Sequence, residues 1–119
     1  MSTYVLLNNV TVTKAAPPPT FAVKPWGATN PEVPSQEQSF HLKVHGNGAV
    51  SATAQIYVSN DTGPDPNQFD WIAYGDPIVA AGTNVGQASA GGQQSWRWFG
   101  GIITAISGTG AAATLEMSA

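Results

Sequence analysis

Apolar and polar residues alternate along short stretches of this chain, most clearly in residues 93–119. Trp96 and Trp98 stand two residues apart, and the same spacing recurs at Ile102, Thr104 and Ile106 and again at Leu115 and Met117. A period of two places alternate side chains on opposite faces of a β-strand. Because glycine supplies the positive φ of tight turns, this segment predicts two strands joined at 107–110, with a bulge at 100–101.

The same alternation predicts strands along most of the remaining chain. A first strand is expected over 4–13, a second hairpin joins strands 38–46 and 49–60 through a 46–48 turn, and short strands follow at 69–74 and 78–81. Residues 60–68 and 83–94 read as loops, and no segment has apolar residues at helical spacing. The sequence therefore predicts a single all-β domain spanning 1–119, an antiparallel, jelly-roll-like β-sandwich of about seven to eight strands.

Residues 14–36 differ from the rest because they hold six of the nine prolines. Proline has no amide proton for a sheet ladder, so this segment is an extended arm or loop, with room for a short edge strand at 21–23. Phe21, Val23 and Trp26 make it too apolar for a solvated linker. It either folds over its own domain or lies on a neighbouring subunit, and both interpretations stay open.

Composition and charge narrow the functional classes. The 119-residue chain is long enough to bury a core, yet only 9% of its residues are charged and its net charge is −3. Four scattered cations (Lys14, Lys24, Lys43 and Arg97) do not form the cluster that a nucleic-acid groove requires. The absence of cysteine excludes disulfides and thiolate chemistry, and the sequence shows neither a signal peptide nor a membrane-spanning stretch.

No residue set predicts catalysis, a cofactor or a metal. On a strand, His41 and His45 lie about 13 Å apart, too far for one metal ion. The acidic residues of the loop around 60–70 (Asp61, Asp65 and Asp70) lack the spacing of an EF-hand and are more typical of turns. The sequence around Ser89 misses the Gly-x-Ser-x-Gly pattern of a hydrolase nucleophile. We therefore expect no enzyme, with catalytic, cofactor and metal residues all absent.

Trp96 and Trp98 are the remaining candidates for a binding surface. Two indoles on one strand face can form a flat platform on which sugar rings stack. Such residues more often anchor a core or a subunit interface, because each ring buries a large apolar area. Both interpretations are kept, as possible surface or interface aromatics.

Several turns and strands resemble those of small bacteriophage virion proteins. The features are a Gly-x-Gly-Ala turn at 46–49, a strand ending in Ser-Asn-Asp near 58–61, a Trp-bearing strand at 70–75 and an aromatic strand running into a Thr-Ala-Ile-Ser-Gly-Thr-Gly-Ala hairpin at 96–112. The resemblance covers about two thirds of the chain and does not include the proline-rich arm.

This resemblance implies a capsid decoration (cement) protein on the virion surface, made in the host cytoplasm. Its partners would be the major capsid protein and neighbouring copies of itself, as a homo-oligomer on the particle, with no nucleic acid and no membrane. The arm would clasp a neighbouring subunit, stiffened by Pro17, Pro18 and Pro19 and anchored by Phe21 and Trp26. A neck, tail or head-completion component and a carbohydrate-binding β-sandwich module remain alternative functions.

Overall fold

The computed structural model describes residues 3–24, 37–94 and 96–118, and this part of the chain is all-β. A single 3-10 turn at Pro66–Gln68 is its one helical element, so the expected absence of α-helices holds for these residues. The strands are β1 (Thr3–Val10), β2 (Ala22–Val23), β3 (Gln38–Ser59), β4 (Ile72–Ala73), β5 (Ile78–Gly92) and β6 (Trp98–Ser118).

All six strands belong to one open antiparallel sheet. β6 lies at its centre, between β3 on one side and both β1 and β2 on the other. β3 pairs in turn with β5 and, near its C-terminal end, with β4. The register places Leu42 of β3 beside Leu115 of β6 and Ala88 of β5. Apolar residues of neighbouring strands thus fall on the same face of the sheet, which allows them to share one core.

The prediction of two hairpins is wrong, because β3 and β6 each continue as one strand through their glycine-rich segment. Residues on both sides of 46–48 pair with the same two neighbours, β5 and β6, and Asn47 itself pairs with Thr109. The prediction of a loop at 83–94 is also wrong, since most of these residues belong to β5. The turn-like glycines of three neighbouring strands meet side by side and bend the sheet instead of ending the strands.

The strand count and strand ends change accordingly. The described residues form six strands and not seven or eight, because each expected hairpin is one long strand. β1 ends at Val10, three residues earlier than expected. The bulge predicted at 100–101 lies further along, because the register of β6 shifts between Ile103 and Ala105.

The long strands must bend sharply to fit the molecule. Fully extended, the 22 residues of β3 would measure about 73 Å, whereas the longest dimension of the protein is 47 Å. Gly101 and Leu115 of β6 would be about 46 Å apart in a straight strand, yet a Cβ built on Gly101 would lie 2.5 Å from Leu115 Cδ2. The two halves of the bent sheet therefore face each other.

Glycines make this bend possible at the points where strands approach most closely. Gly108 of β6 has a φ of +120°, a conformation that side chains disfavour. A Cβ at this position would lie 2.8 Å from the carbonyl oxygen of Ala49 in β3. Glycine is thus required at residue 108 for both its backbone conformation and its contact with the neighbouring strand.

The core fills the space between the two halves of the sheet. Phe40 of the N-terminal half of β3 contacts Phe99 of the N-terminal half of β6, with ring centroids 6.3 Å apart. Burying such a side chain stabilises the fold by about 1.5–3 kcal/mol. The other fully buried large apolar residues are Leu6, Leu42, Val44, Ile56, Val58, Ile103, Leu115 and Met117.

The close contact at Gly108 can be tested against its neighbour Gly110. Both glycines have positive φ, but a Cβ at Gly110 would have no atom within 4 Å. We expect Gly110→Ala to lower the free energy of unfolding by about 1 kcal/mol through backbone strain alone. Gly108→Ala adds a clash with the backbone of β3, so its loss should reach about 3 kcal/mol. Urea denaturation of the two variants measures the difference, and equal losses would contradict the role of the close contact.

Candidate interaction surfaces

An apolar groove lies between β1, the base of the arm and β6. Its volume is about 690 Å³, and it is lined by residues 5–14, Thr20, Phe21 and residues 101–103. Three of these lining residues are large apolar side chains with high exposure: Val5 at 46%, Val12 at 74% and Phe21 at 54%. Exposed apolar residues grouped on one surface are characteristic of interaction sites, whereas isolated ones are common on any protein.

The described part of the arm, residues 14–24, lies on the sheet of its own domain. The Lys14 N–H donates to the Ile103 carbonyl oxygen at 2.8 Å. Pro19 is buried and packs closely on Gly100, since a Cβ built on Gly100 would lie 2.5 Å from Pro19 Cγ. The expected edge strand is present as β2, which pairs with Phe99 and Gly100. The base of the arm is therefore anchored on β6.

The other arm candidates have different environments. Pro17 and Pro18 are half-buried and Phe21 is exposed, so only Phe21 presents a large apolar surface here. Trp26 lies outside the described residues, as do all residues from 25 to 36. The contact of the arm with a neighbouring subunit stays a prediction.

Trp98 belongs to an aromatic cluster that closes one end of the sheet. Its ring packs against Phe69, with centroids 5.5 Å apart, and Phe69 in turn contacts Trp71 at 5.9 Å. The Lys24 ammonium lies 5.7 Å from the centroid of the Trp98 ring, within range of a cation–π interaction. The end of the described arm is thus attached to the same cluster as the loop before β4.

Trp96 has different neighbours from Trp98. Its indole N–H donates to Gln94 Oε1 at 3.1 Å, and its ring packs against the main core. The sequence spacing suggested one shared face, but β6 begins only at Trp98, so strand alternation does not extend to Trp96. The two indole rings therefore pack against different residues.

A second groove, of about 600 Å³, runs beside β5 and contains a polar network that sequence reasoning missed. The Tyr74 hydroxyl donates to Gln38 Oε1 at 2.9 Å and accepts from the Gln94 N–H at 3.1 Å. Gln38 Nε2 donates to the Gln94 carbonyl oxygen at 2.7 Å, so both the oxygen and the nitrogen of this buried amide have a hydrogen-bond partner. The network joins β3, the β4–β5 connection and the segment after β5. The available sequence signal is the strand period of two, which places Gln38 on the same face as Phe40 and Leu42 although glutamine usually faces solvent.

The acidic loop uses its carboxylates to hold its own backbone. Asp61 Oδ2 accepts from the Asp70 N–H at 2.6 Å, and Asp65 Oδ1 accepts from the Asn67 N–H at 3.0 Å. This arrangement agrees with the turn-forming role expected for these residues. Across the described residues, no group of three or more His, Cys, Asp or Glu side chains is placed to hold a metal ion.

The histidines of β3, His41 and His45, lie among surface contacts between neighbouring strands. His41 Nε2 lies 2.8 Å from Gln87 Oε1, a hydrogen bond between the exposed sides of β3 and β5. On the same face, Lys43 Nζ forms an ion pair with Glu116 Oε1 at 2.6 Å. These contacts tie neighbouring strands together at the surface.

Comparison with known proteins identifies no relative. No family model, no curated protein and no solved structure matches the chain. Within the described residues, no helix has the length and apolar character needed to cross a bilayer.

The polar network can be tested with Tyr74→Phe. This change removes the hydroxyl that bonds Gln38 and Gln94, and we expect the free energy of unfolding to fall by about 1–2 kcal/mol, because the buried Gln38 oxygen loses its partner. Tyr57→Phe is the matched control, because Tyr57 is half-buried on the same sheet and has no role in this network. Urea denaturation compares both variants with the wild type. A loss in Tyr74→Phe no larger than that of the control would show that the hydroxyl contributes nothing.

Proposed function

We propose that this protein is a non-enzymatic structural subunit of a bacteriophage virion, a decoration (cement) protein that binds the outer shell between capsid subunits. The exposed apolar groove carries this proposal, because Val5, Val12 and Phe21 present a hydrophobic docking surface beside the base of the arm. The resemblance of the strand and turn motifs to small virion proteins points in the same direction. The partners are the major capsid protein and neighbouring copies of the subunit, on the virion surface.

The arm contributes by presenting Phe21 from a fixed position. β2 and the buried Pro19 hold the neighbouring backbone on β6, so little chain entropy is lost when Phe21 docks. Among the described residues that line the groove, Lys14 is the one charged side chain. Docking on a protein shell then requires little desolvation of ionised groups. The proline-rich continuation of the arm would extend the contact over the adjacent capsid subunit.

We further propose that the bent sheet works as a rigid, sandwich-like block. The contacts of Phe40 with Phe99 and of Gly101 with Leu115 support two facing layers made from one sheet. A packed block that spans a seam between subunits resists their separation, because moving them apart exposes apolar area to water. The jelly-roll-like strand arrangement remains an expectation from the sequence.

The number of copies per particle tests the position in the virion. Quantitative mass spectrometry of purified source particles gives the ratio of this protein to the major capsid protein. A ratio comparable to that of a shell subunit is the expected result. A handful of copies would favour the neck or tail alternative, and absence from the particles would overturn every virion role and make glycan binding the next test.

The docking surface is tested with Phe21→Ser. We expect this variant to bind particles lacking the protein at least about 10-fold more weakly, because a central apolar anchor is removed. Ile72→Ser is the matched control, since Ile72 is also 54% exposed but lies in β4, outside the groove. Co-sedimentation with particles measures both affinities, and circular dichroism verifies folding. Equal binding by the two folded variants would remove the groove from the proposed interface.

A further inference from the structure

The outer edge of β5 is a long strand edge without a partner among the described residues. One edge of β5 pairs with β3 from Gln38 to Ala54, and the described part of the chain places no strand on the other edge. β5 is 15 residues long, so its outer edge offers a row of backbone N–H and C=O groups on both sides of its bend.

The sequence of β5 lacks the charged side chains and prolines that commonly protect a free edge. Proteins commonly block such edges with charged side chains, with proline or by keeping the strand short. Between Ile78 and Gly92 there is no charged residue and no proline, and most side chains are alanine, glycine, serine or another small residue. Such an edge is suited to pairing with another strand at low steric cost.

We propose that β5 pairs with β5 of a second copy of this chain, in antiparallel register, around a two-fold axis at Val85. The result is a symmetric dimer in which the sheet continues from one subunit into the other. The same surface is used by both copies, as in most homodimers. The proposal concerns the free protein in solution and holds whether or not the protein acts on a virion.

The bend of β5 favours a second copy over an unrelated strand. The bend is centred on residues 82–86, where a Cβ on Gly86 would lie 2.6 Å from the Ala81 carbonyl carbon. This position overlaps the middle of Ile78–Gly92, so a two-fold axis through Val85 brings residues 84–86 of one bend opposite residues 86–84 of the other. A straight strand could follow only one half of the edge, whereas the second copy has the matching bend.

The inward and outward faces also match in this register. Residues 78, 80, 88 and 90 point toward the core, and residues 79, 81, 87 and 89 are exposed. With the axis at Val85, Ala80 pairs with Ala90 of the second copy and Ala81 pairs with its Ser89. Core-facing residues thus meet core-facing residues, as a continuous sheet requires.

The side chains near the axis are compatible with close approach. Val85 is 42% exposed and would pack against its own copy at the axis, which buries apolar surface on both sides. Asp76, the charge nearest the start of β5, would lie across from Gln94 of the second copy and not from another acid. The pairing therefore brings no like charges together.

The test compares two double variants that differ only in charge pattern. In Ala81→Lys/Ser89→Lys, each lysine at 81 faces a lysine at 89 of the other copy, and like charges directly opposite destabilise strand pairing. In Ala81→Lys/Ser89→Glu, the same positions face opposite charges. All these positions are exposed, and circular dichroism checks that both variants keep the fold. Sedimentation velocity from about 1 to about 500 μM determines the mass of each protein.

The expected result is a wild-type species of twice the 12.3 kDa chain mass, a monomeric Lys/Lys variant and a dimeric Lys/Glu variant. A wild type that is monomeric at every concentration would overturn the proposal. A Lys/Lys variant that remains dimeric would overturn it as well, because the contact would then lie elsewhere. A ladder of larger species would indicate pairing of β5 with β1 of another copy, which excludes the two-fold arrangement.

Amide hydrogen exchange of the wild type provides a measurement without any substitution. Pairing protects the outward-pointing N–H groups of β5, so their exchange should slow as the protein concentration rises. Amides of β1, at the opposite edge, should exchange at the same rate throughout. Concentration-independent exchange in β5 would overturn the proposal even if neither double variant folds.

Discussion

The bend shared by β3, β5 and β6 is the constraint on which the rest of the structure depends. A single sheet with one apolar face must cover that face, and here it does so by folding upon itself. Three neighbouring strands must then turn at the same place without losing their register. Glycines with positive φ meet this requirement in β3 and β6, whereas in β5 the positive φ falls on Asn84. Glycines such as Gly108 also allow the strands to approach without a Cβ between them. The contact of Gly101 with Leu115, two residues of one strand, is a direct consequence.

The bend also determines where the candidate surfaces lie. Because β6 is central, the edge formed by β1 and β2 and the edge formed by β5 lie on opposite sides of the sheet. The apolar groove with Phe21 occupies the first edge, and the uncharged strand β5 occupies the second. In the two proposals above, the contact with a shell uses one edge and the contact with a second copy uses the other. The two contacts do not compete for the same residues.

Particular residues show why the candidate site was only partly predictable. The sequence predicts Phe21 as a contact residue because an apolar residue within a proline-rich segment is unusual, and the structure places it in the groove beside Val5 and Val12. The valines carried no such signal, since both belong to an ordinary alternating stretch. Gln38 differs from the valines, because strand alternation places it on the face of Phe40 and Leu42, and only the structure shows the contact with Tyr74 that satisfies its side chain there.

The spacing of neighbouring residues is enough to predict the all-β class, the absence of helices in the described residues and the alternation that separates core from surface. Strand geometry converts that spacing directly into faces. Long-range pairing, in contrast, makes 46–48 and 107–110 bend continuous strands instead of closing hairpins. A glycine-rich turn signal has the same local chemistry in both cases. The outcome depends on whether the flanking strands pair with each other or with shared neighbours, and that is settled by contacts between residues distant in the chain.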